Sequence, residues 1–192
     1  MNTVRRFLTL VFCLSVAACA YSPQQITVDP VIAATGERFG NGRIVKVSVE
    51  DRRENKVLGT RGGAYPKTST ITIGNSLTDA IARSAEATLA AQGFSVNSSA
   101  EPQLEMKILV DELVYDKSED SLTGEVNLKS VLSVELSAGG ETYTGRYQTA
   151  SQRQLIVAAS EKKNTEIINE ILSQTLQRLF ADPKVRVFVS NI

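Results

Sequence analysis

Leu104, Met106, Ile108 and Val110 alternate strictly along the chain, and the apolar positions then switch parity to Leu113 and Tyr115. A period of two describes a strand with one buried face. A switch of parity around Asp111–Glu112 is what one inserted residue, a β-bulge, produces. The next strand places Val126, Leu128, Leu132, Val134 and Leu136 on one face, with Glu125, Asn127, Lys129, Ser133 and Glu135 opposite. Ala138-Gly139-Gly140-Glu141 is a hairpin turn, and residues 142–148 return with Tyr143 and Tyr147 on one face. Upstream, Val45, Val47 and Val49 form another half-buried strand, and Ile71 and Ile73 a short one. Residues 54–68, with Gly59, Gly62, Gly63 and Pro66, read as loop.

Two segments carry helical periodicity. Ser76 caps the first, with Asp79 three places on, and Leu77, Ile81, Ala85 and Leu89 make its stripe. Gly93 ends it, with Phe94 able to pack back on the last turn. The second is capped by Asn164 and striped by Ile167, Ile168, Ile171, Leu172, Leu176, Leu179 and Phe180, ending at Asp182-Pro183. The tail Val185-Arg186-Val187-Phe188-Val189 suits either a terminal strand or a helical extension. Strands with one apolar face plus two amphipathic helices predict an α+β fold. Its form is a two-layer sandwich, a mainly antiparallel sheet with both helices on one face.

The first twenty residues are of another kind. Arg5 and Arg6 precede an apolar run from Phe7 to Val16, which is too short for a permanent span of roughly 20 residues. Charged, apolar, then small residues is the order of a secretory signal peptide. Its end, Val16-Ala17-Ala18-Cys19, looks like a lipobox, with cleavage between Ala18 and Cys19 and a diacylglyceryl group on the Cys19 sulfur. Two or more acyl chains, palmitate among them, hold a protein stably to a membrane. Ala20, rather than aspartate, follows the cysteine, which favours the periplasmic face of the outer membrane over the inner membrane. Residues 1–18 are therefore read as signal peptide, 19–42 as lipidated N-terminus and tether with an edge strand near Ile26–Val28, and 43–192 as a single periplasmic domain. A flexible tether of that length would span roughly 25–30 Å.

Composition then removes whole classes of chemistry. The chain of 192 residues has no histidine, and 21 basic residues balance 21 acidic ones. Without imidazole there is no Ser-His-Asp triad, and without a basic excess there is no footprint for nucleic acid. Cys13 leaves with the signal and Cys19 takes the lipid, so the mature chain offers no thiol nucleophile and no Cys-ligated zinc. No cofactor is expected.

The most site-like cluster is Asp51-Arg52-Arg53 at the end of the first strand, where arginine forks suit a phosphate, a carboxylate or a partner. A strand-end ion pair is the plainer reading. Tyr143, Arg146 and Tyr147 form a second candidate contact face. Gly59-Thr60-Arg61-Gly62-Gly63 lacks the lysine and immediate helix of a phosphate loop and reads as a turn. Asp111, Glu112, Asp116, Glu119 and Asp120 lack calcium-loop spacing and read as an acidic bulge and turn.

Nearly the whole chain resembles the YajG-like family of small bacterial lipoproteins. The resemblance lies in the lipobox, Ile26-Thr27-Val28-Asp29-Pro30, Val47-Ser48-Val49-Glu50-Asp51-Arg52-Arg53, and Leu58-Gly59-Thr60-Arg61-Gly62. It continues through Gly93-Phe94-Ser95-Val96, Leu104-Glu105-Met106-Lys107-Ile108, Tyr143-Thr144-Gly145-Arg146-Tyr147 and the closing helix with Asp182-Pro183. The resemblance implies an envelope lipoprotein and supplies no catalytic residues.

The expectation is a non-enzymatic module, anchored to the membrane by lipid on Cys19, that binds or organises an envelope protein or polymer. An apolar groove between sheet and helices would instead suit lipid or lipopolysaccharide handling. Two carboxylates roughly 5–9.5 Å apart in a cleft would suit a cell-wall glycan hydrolase. Replacing Cys19 with serine should move the protein from the membrane to the soluble fraction on detergent-free fractionation. A Cys19→Ser protein that still sediments with membranes would exclude this anchor.

Overall fold

Three strands of 14 residues each form the backbone of the sheet: β5 (Leu104–Lys117), β6 (Glu125–Ala138) and β7 (Glu141–Gln154). The computed structural model describes residues 22–33, 37–62, 66–96, 98–117, 124–155 and 159–190. The signal segment, Ala18, Cys19, Gly63, Glu119 and Asp120 lie outside these. β5, β6 and β7 pair antiparallel in sequence order. The β6–β7 turn has Gly139 and Gly140 both at positive φ (58° and 86°), the conformation a two-residue type I′ turn needs. The parity switch is a bulge: the β5–β6 register slips between Val110 and Glu112, so Asp111 is the extra residue.

The outer edge of β5 is shared. β2 (Val45–Asp51) pairs parallel with its first half and β3 (Gly59–Thr60) parallel with its second, at Tyr115. β4 (Thr70–Ile73) runs antiparallel to β3, and β1 (Gln24–Ile26) lies parallel to β4 at the far edge. The sheet is thus mixed, with its antiparallel part confined to the long meander and the β3–β4 pair. The parallel pairings join segments distant in sequence, which alternation alone does not reveal.

Helix α1 (Leu77–Ala91) begins at Ser76, whose Oγ accepts from the Asp79 N–H at 3.2 Å. It ends in a Schellman motif, with Gly93 N–H donating to Ala90 O and Phe94 N–H to Leu89 O, each at 3.0 Å. Helix α2 (Glu161–Phe180) packs on β6 and β7, and one side of the sheet is closed by these helices. Its cap is Ser160, not Asn164: Ser160 Oγ accepts from the Lys163 N–H at 3.2 Å. Asn164 sits in the first helical turn, fully buried, its amide meeting that of Gln24 at 2.6 Å. The tail is a helix, α3 (Pro183–Ser190). Asp182 Oδ1 accepts from the Lys184 N–H at 2.8 Å and Pro183 occupies the first turn, a strong helix start. Val185 and Val189, four apart, are buried, while Val187 is exposed. The core between sheet and helices is packed from Ile108, Val110, Leu132, Val134, Ile168 and Leu172, all fully buried.

The segment read as a tether is, in its described part, built into the fold. Ile26 and Val28 are fully buried. The Asn75 side chain donates to Val28 O at 2.8 Å and accepts from Val28 N–H at 2.9 Å, as a neighbouring strand would. The N–H groups of Asp29, Val31 and Ala33 then donate to Asn169 Oδ1, Ser173 Oγ and Gln177 Oε1, at 2.7, 2.9 and 2.8 Å. Every second residue of an extended chain advances about 6.7 Å and every fourth residue of a helix about 6.0 Å, so the two repeats run in step. The folded unit therefore reaches upstream of Arg43 to at least Gln24. Ile26→Ala should lower stability by about 2–4 kcal/mol in urea unfolding. A loss below about 0.5 kcal/mol would show that β1 is not part of the cooperative unit.

Candidate functional site

The bulge shapes the face of the sheet that no helix covers among the described residues. Asp111 and Glu112 both project there, because the inserted residue turns two successive side chains to the same side. Arg146, in register with Ser133, meets them: Arg146 Nη1 donates to Asp111 Oδ2 at 3.1 Å, and Nη2 lies 3.8 Å from Glu112 Oε1. Ser133 Oγ donates to Asp111 Oδ2 at 2.6 Å, and Lys129 Nζ pairs with Glu112 Oε2 at 2.7 Å.

Beside this cluster the edge of β5 is left open. Arg52 N–H donates to Val110 O at 3.0 Å, and Tyr115 N–H donates to Leu58 O at 2.8 Å. Between those bonds the chain from Arg53 to Val57 swings away from the sheet. The resulting cleft, of about 480 Å³, has Val57, Leu58, Leu113 and Val114 among its apolar lining. Its charged rim includes Arg52, Arg53, Glu54, Asp111, Glu112 and Arg146.

Arg53 is the rigid part of that rim, held from behind by Asp51. Arg53 Nε and Nη2 donate to Asp51 Oδ1 and Oδ2 at 2.9 and 3.0 Å, and Lys56 Nζ lies 2.9 Å from Asp51 Oδ2. The pairing is a strand-end ion pair, as the plainer sequence reading held, but it is not an exposed one: the Arg53 side chain is only 6% accessible. Its Nη1 is buried and has no partner among the described residues. Burial pushes the Asp51 carboxyl up, and the hydrogen bonds and charges of Arg53 and Lys56 outweigh it, holding the group at about 2 against an ordinary 3.8. Arg52 is half exposed and pairs with Glu50, which Lys107 also holds at 2.8 Å.

Tyr143 and Tyr147 do not share this face with Arg146. Odd and even positions of β7 point oppositely, and both tyrosines turn toward the helices. There Tyr147 OH and Tyr143 OH donate to Asp182 Oδ2 at 2.7 and 3.1 Å, while the Tyr143 ring lies 6.0 Å from that of Phe188. Burial, then the hydrogen bonds to Tyr143 and Asp182, push the Tyr147 hydroxyl far up. Burial also raises Asp182, but the donors Tyr147, Lys184 N–H and Tyr143 outweigh it and lower the group. This cluster pins the α2–α3 corner to β7 and is a structural clamp.

Arg61 is likewise structural. It is buried, and its Nη1 and Nη2 donate to Ser22 O and Ala159 O at 3.2 and 3.3 Å. With its amide oxygen turned toward Arg61, Gln24 accepts from Arg61 Nε and Glu161 N–H, both at 3.1 Å. Asp116 is exposed on β5, away from the cleft lining. Among the described residues no three metal-ligating side chains come together, and no helix is long and apolar enough to cross a membrane.

The arrangement is a small α+β domain with an arginine-rimmed cleft on its open face. A family model described as "uncharacterized lipoprotein" matches residues 30–190, and the chain belongs to this family of YajG-like lipoproteins. It is 23% identical to the uncharacterized lipoprotein YajG of Escherichia coli K12 over 186 residues, covering 95% of this chain and 94% of that protein. Among solved structures, protein XCC0632 from Xanthomonas campestris superposes with a TM-score of 0.58 at 10% identity, covering 80% of this chain and 91% of that one. That likeness establishes a shared fold. A minor lipoprotein from Acinetobacter baumannii is more distant, with a TM-score of 0.39 and 14% identity over 72% of this chain and 89% of its own. Family membership implies a membrane-anchored place in the envelope.

Because the folded Asp51 titrates below its unfolded value, its contribution is present above pH 3.8 and is lost as pH falls toward about 2. The shift corresponds to roughly 2 kcal/mol. Asp51→Asn should cost about that much at pH 7 in urea unfolding, with the gap from wild type closing between pH 4 and 2. A gap independent of pH would show that the pair does not hold Asp51 ionised.

Proposed function

We propose that this chain is a non-enzymatic, lipid-anchored lipoprotein at the periplasmic face of the outer membrane, and that it binds another envelope component through the cleft on its open sheet face. The anchor is the lipid on Cys19. The observation that carries the reading is the rim of the cleft, where a nine-tenths-buried Arg53, fixed by Asp51, stands beside the exposed Arg52 and Arg146. Guanidinium groups gathered around a cleft suit a carboxylate or phosphate, which they meet with paired N–H donors.

Two further features support binding over chemistry. Asp111 and Glu112 are each engaged by Arg146, Ser133 or Lys129 rather than poised as an acid and a base. The helix–sheet interface is a filled core among the described residues, which favours a surface contact over an apolar lipid groove.

Arg52 and Arg146 are exposed enough to be changed without opening the core, with side chains 44% and 60% accessible. In intact cells treated with a chemical crosslinker, Arg52→Ala and Arg146→Ala together should reduce the protein's adducts at least fivefold at unchanged abundance and with a melting temperature within a few degrees of wild type. Adducts unchanged in yield and identity would place the contact elsewhere.

A further inference from the structure

We infer that the end of the domain bearing Arg61, Lys67 and the start of α2 lies against the phospholipid headgroups of the anchoring membrane. The inference rests on lipidation at Cys19, as proposed above, and adds what the fold does with that anchor. The leash is too short for the domain to face any other way. Ser22 is already docked, its carbonyl accepting from Arg61 Nη1 at 3.2 Å, and β1 begins at Gln24. Only Ala20 and Tyr21 lie between Cys19 and Ser22, and a fully extended chain covers at most about 11 Å over those three steps. A flexible tether of roughly 25–30 Å, the expectation for residues 20–42, is therefore not available.

Topology identifies the surface held down. The start of β1 is level with Ile71, which pairs with Gly59, which pairs with Tyr115 near the end of β5. The beginning of β6 and the end of β7 lie at the same end, where Glu125 faces Gln154. Lys67, in the short 3-10 turn Pro66–Thr68, and Lys162, in the first turn of α2, are exposed there. Ala138 and Glu141, at the β6–β7 turn, mark the opposite end, about 40 Å away along the strands. Charge does not decide the matter, since Glu161 and Glu125 accompany the lysines. Chain length does.

The test exploits a chain with only two cysteines, one leaving with the signal and one bearing lipid. Lys67→Cys, Lys162→Cys and Glu141→Cys variants of the full lipidated protein are labelled with bimane. They are then reconstituted into phosphatidylethanolamine–phosphatidylglycerol vesicles carrying nitroxide on a fraction of headgroups. Quenching at positions 67 and 162 should exceed that at 141 at least threefold. Equal quenching at all three, or stronger quenching at 141, would overturn the orientation. Flotation with the vesicles is read separately: protein that fails to float refutes the lipid anchor itself, whereas protein that floats with the inverse pattern refutes only the orientation. Inserting a 12-residue Gly-Ser stretch between Tyr21 and Ser22 should cut quenching at 67 while flotation persists. Quenching that survives the insertion would overturn the short leash as its cause.

Discussion

One inserted residue organises the open face of this protein. Strand β5 is the shared member of the sheet, holding β6 along one edge and β2 then β3 along the other. The bulge at Asp111 falls where β2 leaves and before β3 arrives. On the core side it lets the apolar sequence resume at Leu113 and Tyr115, both nearly fully buried. On the other side it presents Asp111 and Glu112 together, where Arg146, Ser133 and Lys129 can bind them. The same irregularity bends the strand locally and accompanies the gap in edge pairing that opens the cleft. Without it β2 and β3 could follow one continuous edge, and the site would have no room.

The second organising interaction is the docking of the N-terminal segment. β1 supplies Ile26 to the core, and the chain beyond it is held by three side chains at four-residue spacing along α2. Gln24, Arg61 and Asn164 close its upstream end in a polar network that joins segments 140 residues apart in sequence. Buried polar groups of this kind tolerate little displacement, because each would otherwise be left without a partner. The chain that leads to the membrane anchor is thereby part of the fold.

Much of this was legible from residues alone, and what was not has physical reasons. The bulge, the glycine hairpin and the α1 caps are local devices, and local pattern revealed them. The α2 cap was misassigned because Ser160 and Asn164 are both good capping residues, and only a contact with Gln24 explains a buried Asn164. The alternation of the tail suits a strand or a helical extension alike, and the Asp182 cap and Pro183 decide for a helix, with Val185 and Val189 as its buried stripe. β1 is three residues long and parallel to a strand some 47 positions away, so no window of sequence contains its partner. At the site, Asp51 and Arg53 were found by composition. The separation of Arg146 from the tyrosines follows from strand parity, since 143 and 147 are odd positions of β7 and 146 is even. Lys56, Lys129 and Ser133 joined the site only once register was known.

On the proposed account, lipid on Cys19 would hold the domain close to its membrane through the docked segment that begins at Ser22, with the arginine-rimmed cleft on the side of the sheet the helices leave open. The central claim is that the cleft, rather than the helix-covered side, meets the partner. Val114 lies in the cleft lining and is 38% accessible, while Gln174 is exposed on α2. A photo-crosslinking amino acid placed at each position and irradiated in intact cells distinguishes the two sides. A discrete adduct from position 114 and none from 174 is the predicted result. An adduct from 174 alone would contradict the account.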